Sequence, residues 1–138
     1  MGEGAVCMTL AESTILVVDD EPILRLTFSL VLKQTGATVH VAEDGINALD
    51  VLERERVDVI LSDKQMPQMD GIAMIRTLRE RGNTAPVVLF VNGVASESPA
   101  EMDRLGVTET VTKPLHPAEL VKILARVVEP IPASGKQP

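Results

Sequence analysis

The stretch "ILVVDDEP", Ile15 to Pro22, runs four apolar and mostly β-branched residues straight into three acids and a proline. With no polar residue alternating among them, the first four read as a strand buried on both faces. A knot of like charge at the end of such a strand has two ordinary explanations. Asp20 can cap a helix that starts at Pro22, or the acids can form half of a site that binds a cation.

Working outward, strand-like runs alternate with helical patterns about five times along the 138 residues. Strands are expected at Thr14–Val18, Val39–Ala42, Val57–Ser62, Val87–Val91 and Val107–Thr112. Helices are expected near Pro22–Thr35, Ile46–Arg54, Ile72–Arg81, Pro99–Leu105 and Pro117–Val128. Gly36, Gly82 and Gly106 stand where helices should stop, while "SPAE" from Ser98 and "HPAEL" from His116 read as helix starts. Units of this kind, joined by right-handed crossovers, build an α/β doubly wound parallel sheet with helices on both faces. The packed domain is expected over 13–128. Residues 1–12 form an N-terminal extension, and the proline-containing 129–138 are a free end or the start of a linker.

Composition narrows the function classes. Hydrophobic residues make up 45% of the chain and aromatics only 1%, so the core must be built from Val, Leu, Ile, Ala and Met. A net charge of −7 argues against direct binding of nucleic acid or an anionic membrane. No apolar run is long enough to span a bilayer, and the N-terminus lacks the basic residues of a signal peptide. The single cysteine, Cys7, allows no internal disulfide, which fits a reducing, cytoplasmic setting.

In an open α/β sheet, ligands sit beyond the carboxyl ends of the strands. Asp19 and Asp20 end the first expected strand, Asp63 the third and Lys113 the fifth. Each residue alone could be a cap, a turn residue or a solvated lysine. Together they bring three carboxylates to one edge, an arrangement that is costly unless a cation lies between them. Mg²⁺ suits such oxygen ligands.

"VVDDEP", "LSDKQMPQMDG" and "VTKP" resemble the acidic pair, phosphoacceptor and lysine motifs of response-regulator receiver domains in bacterial two-component signalling, over about residues 13–128. The resemblance implies a flavodoxin-like sheet of order 2-1-3-4-5. It implies that Asp63 takes a phosphoryl group from a histidine kinase or histidine phosphotransfer protein. Asp20, Asp63 and the Gln65 carbonyl would ligate Mg²⁺, with Asp19 acting through water and Lys113 pairing with the phosphoryl oxygens. Such a protein is a signalling module rather than a metabolic enzyme, and a weak homodimer is compatible with it.

Two positions depart from the family pattern. Receivers usually carry Ser or Thr at the end of the fourth strand and an aromatic residue three before the lysine. Here those positions fall on Val91 and Thr110, and Asn92 follows where a small residue is usual. Valine cannot donate to a phosphoryl oxygen, a hydrogen bond worth about 1.5–3 kcal/mol when it involves charge. The alternative is therefore a pseudoreceiver, an interaction module of the same fold whose conformation ignores phosphate. A Mg²⁺-dependent phosphatase with an aspartate nucleophile is a weaker rival. It needs an acid for the leaving group, and only Lys64 and Gln65 follow Asp63.

The first expected helix has two apolar faces. Leu24, Phe28, Val31 and Leu32 suit the core, while Ile23, Leu26 and Leu30 gather on the far side as a candidate partner-docking stripe. His40 and His116 have no second ligand at metal spacing and read as packing or solvent residues. Met66 belongs to the loop after Asp63, while Met69 and Met74 read as local packing.

Overall fold

The computed structural model of the chain describes residues 9–91, 99–112 and 115–128. Lys113, Asn92, Cys7 and the "SPAE" serine, Ser98, lie outside the described residues. The strands are β1 Thr14–Val18, β2 Thr38–Ala42, β3 Val59–Asp63, β4 Val87–Val91 and β5 Val107–Thr112. The helices are α1 Pro22–Lys33, α2 Gly45–Arg54, α3 Gly71–Glu80, α4 Pro99–Leu105 and α5 Pro117–Val128. All neighbouring strands pair in parallel in the order β2-β1-β3-β4-β5, as the resemblance implies.

Alternation along β1 sorts its side chains between two cores. Leu16 and Val18 join α2, α3 and α4 on one face, while Ile15 and Val17 join α1 and α5 on the other. The chain's two phenylalanines stack across the second core, Phe28 of α1 on Phe90 of β4, with centroids 5.5 Å apart. A short 3-10 turn, Leu10–Glu12, buries Leu10 in that core, although no pattern in the sequence marks it.

Some boundaries move for local reasons. α1 stops at Lys33 rather than Thr35, because Thr35 and Gly36 donate to the carbonyls of Leu32 and Lys33 in a tighter turn closed by Gly36 at φ 99°. β3 begins at Val59 rather than Val57. Asp58 ahead of it ties to β1, its N–H donating to the Thr14 carbonyl and its carboxylate accepting from the Thr14 N–H, each at 2.8 Å. β3 also runs on through Asp63, which pairs with Phe90 of β4.

At the far end of the sheet, Arg79 of α3 donates to the carbonyls of Asn83, Ala85, Leu105 and Gly106 over 2.6–3.1 Å. Leu105 and Gly106 stand at the end of α4, where carbonyls lack intrahelical donors, while Asn83 and Ala85 belong to the loop between α3 and β4. Burial draws the Arg79 pKa below its usual value, but the group stays charged at any ordinary pH. Arg76 adds an ion pair to Glu101 of α4, and Arg126 of α5 makes a bidentate pair with Glu109 of β5.

Candidate functional site at the carboxyl edge of the sheet

Parallel register puts two of the acids side by side. Val18 of β1 is level with Ser62 of β3, so the next residues, Asp19 and Asp63, leave adjacent strands at the same height. Asp20 follows at the start of the β1–α1 turn. Carboxylate oxygens of Asp19, Asp20 and Asp63 all lie within 4.8 Å of one another. Asp19 is 1% exposed and Asp63 8%, whereas Asp20 faces solvent. Three hard oxygen donors, two sunk and one open, match a small divalent cation that keeps part of its water shell.

Asp19 is held at several atoms. Its N–H donates to the Ala42 carbonyl of β2 at 3.1 Å, and its Oδ1 accepts from the Glu21 N–H at 2.9 Å. Its carbonyl accepts from Nη1 of Arg25 at 2.7 Å. The helix-cap expectation for Asp20 is thereby corrected. Glu21 is the N-cap residue of α1 and makes no side-chain cap bond, and it is Asp19 that takes the Glu21 amide. The Asp20 carboxylate has no partner among the described residues.

The segment after Asp63 is a closed loop. Lys64 N–H donates to the Phe90 carbonyl at 3.1 Å, and the Lys64 carbonyl accepts from the Gly71 N–H at 2.8 Å. Asp70 caps α3 by accepting from the Ala73 N–H at 2.8 Å. Gln68 takes a left-handed conformation at φ 70°, and the Met69 carbonyl accepts from the Gly45 N–H of α2 at 3.1 Å. Gly45 fits tightly there, since a Cβ would lie 2.6 Å from that carbonyl oxygen. Gln65 sits exposed on this loop.

Val91 ends β4 and is buried in the core shared with α4, while Thr110 lies on edge strand β5 with its side chain exposed. Ile23, Leu26 and Leu30 on α1 are 73%, 57% and 51% exposed, and Leu26 shares a shallow cleft with Pro22, Arg25, Ser29 and Val41. His40 stands 3.7 Å from Glu55. His116 does more than face solvent, because its Nδ1 accepts from the Ala118 N–H at 3.0 Å and so caps α5.

Sequence reasoning overlooked Arg25, Asp70 and Gly71. Signals were present: a cation one turn into the helix after an acidic pair, and an Asp-Gly pair at a helix start.

A model of the response regulator receiver domain matches residues 15–125. An uncharacterized 14.6 kDa protein of Leptolyngbya boryana is 38% identical over 118 residues, covering 84% of this chain and 90% of that protein. The sensor histidine kinase RcsC of Salmonella typhi is 36% identical over 115 residues, which are 83% of this chain but only 12% of the kinase. Among solved structures, the Vibrio cholerae chemotaxis protein CheY4 superimposes with a TM-score of 0.77 at 32% identity, covering 83% of this chain and 98% of that one. The receiver domain of the Pseudomonas aeruginosa sensor histidine kinase PA1611, solved with a magnesium ion coordinated in its active site cleft, gives 0.72 at 30% identity over 84% and 97%. With its sheet order, its acidic cluster and these matches, the chain belongs to the response regulator receiver domains of two-component signalling.

Proposed function

We propose that this receiver accepts a phosphoryl group on Asp63 from a histidine kinase or a histidine phosphotransfer protein, with Mg²⁺ held directly by Asp20, Asp63 and the Gln65 carbonyl and by Asp19 through water. The convergence of three carboxylates within 4.8 Å at adjoining strand ends carries this reading. An Asp63 oxygen attacks phosphorus, the P–N bond to the donor imidazole breaks, and the imidazole leaves with the bonding pair, so that an acyl phosphate forms. Bound Mg²⁺ supplies charge neutralisation for the transferring group. The β3–α3 loop, closed by the Gly71–Lys64 hydrogen bond, keeps the Asp63 main chain in place for in-line attack. Lys113, which follows β5, is assigned to the phosphoryl oxygens as a point charge. The stripe of Ile23, Leu26 and Leu30 is assigned to the donor's helices, since α1 starts beside Asp20.

A second reading, a pseudoreceiver that binds partners without regard to phosphate, is favoured by Val91 and Thr110. Neither the hydroxyl nor the aromatic ring of the usual switch is present at these positions. Incubation with Mg²⁺ and acetyl phosphate, followed by intact mass, separates the two. The first reading expects one phospho-adduct on the wild type and none on Asp63→Asn. An unmodified wild type favours the pseudoreceiver, and an Asp63→Asn protein that still gains phosphate removes Asp63 as the acceptor.

A further inference from the structure

We infer that Arg25 is a positioning residue for the cation pocket: its guanidinium holds the Asp19 carbonyl and so sets the direction in which Asp20 presents its carboxylate. The inference rests on the Mg²⁺ reading given above. Residues 19–21 carry two of the three acids on a short turn between β1 and α1. Only part of that turn is secured by the sheet, through the Asp19 N–H on Ala42. Asp20 is exposed, and its carboxylate has no partner among the described residues. Its orientation is therefore inherited from the peptide that joins it to Asp19. The oxygen of that peptide is the one Arg25 holds, at 2.7 Å.

Helix geometry makes the contact stiff. The Arg25 N–H donates to the Glu21 carbonyl at 3.0 Å as the first bond of α1, and its side chain reaches back over the turn to Asp19. Backbone and side chain of one residue thus close both ends of the segment that bears Asp20. A guanidinium suits this task because it is always charged, and its planar fork loses little freedom when it binds. The anchor acts on a carbonyl and leaves the carboxylates to the metal.

Positioning and simple electrostatics predict opposite signs. A positive charge close to three carboxylates opposes the entry of a cation, so removing it would tighten Mg²⁺ binding if field effects dominated. Loss of the anchor instead loosens Asp20 and weakens binding. The decisive measurement is the Mg²⁺ dissociation constant of the whole protein, by calorimetry and by amide shifts of residues 19–21, alongside thermal melting without Mg²⁺. Arg25→Met, close in length but without donor or charge, is expected to bind Mg²⁺ about ten-fold more weakly. Arg25→Lys keeps a donor long enough to reach the carbonyl and is expected to recover most of that loss. If Arg25→Met does not fold, Arg25→Gln, whose amide stops short of the oxygen, takes its place in the comparison. Tighter Mg²⁺ binding in Arg25→Met, or a lowered melting point with an unchanged dissociation constant, overturns the inference while leaving the metal site standing. A wild type that binds no Mg²⁺ overturns the metal reading and this inference with it.

Discussion

The main-chain oxygen of Asp63 lies 2.5 Å from where a Cβ on Gly71 would stand, and the Lys64 Cα lies 3.1 Å from the same point. The loop that follows the candidate phosphoacceptor therefore folds directly back over it, and α3 begins against the peptide that carries Asp63. A glycine is needed at this place for space, not for a left-handed backbone.

Gly71→Ala should consequently disturb both stability and phosphorylation. The tightest contact, at 2.5 Å, is with a backbone oxygen, which cannot move aside as a side-chain tip can, and the buried Leu89 Cδ1 lies 3.1 Å away. Overpacking of this kind costs about 1–3 kcal/mol. A lowered melting midpoint by circular dichroism, with slower labelling by acetyl phosphate, is expected. An alanine variant that matches the wild type in both would show that the loop yields freely.

Donor docking predicts a selective defect in Leu26→Glu. Burial of an apolar side chain is worth about 1.5–3 kcal/mol, so transfer from the cognate kinase should slow by about an order of magnitude or more. Labelling by acetyl phosphate, which needs no docking surface, should not change. The fold should survive, since Phe28 and Leu32 carry the core face of α1. Equal slowing of both reactions, or of neither, argues against the stripe.

Phosphorylation should leave α4 and β5 nearly still. Val91 offers no hydroxyl to the phosphoryl group, and Thr110 is exposed and has no ring to swing inward. α4 is additionally tied to α3 through Glu101–Arg76 and through the Leu105 and Gly106 carbonyls on Arg79. Hydrogen exchange with and without beryllofluoride tests this. Large protection changes across 99–112 would contradict it.

Arg79→Met should destabilise the protein by about 2–3 kcal/mol, because hydrogen bonds from a charged donor are lost, and carbonyls at the end of α4 and in the α3–β4 loop lose that donor. Arg79→Lys should recover only part, since a single ammonium cannot span four oxygens on two turns. Urea denaturation reads both. Acetyl phosphate labelling of the folded variants should match the wild type, as Arg79 sits at the opposite end of the sheet from Asp63.

Much of this protein was legible along the chain. Apolar runs without alternation marked strands covered on both faces, and Gly36, Gly82 and Gly106 marked the ends of helices, where each takes a positive φ. The acids were legible because charge at the end of a buried strand conflicts with burial unless it has a use. Local pattern, however, says nothing about which strands are neighbours. Asp19 and Asp63 stand side by side only because β1 and β3 pair with Val18 level with Ser62, a long-range choice made by packing two faces of the sheet at once. The same holds for Arg25 on the Asp19 carbonyl, for Gly71 beneath Asp63 and for Arg79 between the end of α4 and the α3–β4 loop. These contacts join a side chain or a bare Cα to a backbone atom. Any residue supplies such an atom, so the partner's identity leaves no trace in the sequence, and only the folded chain brings the two together.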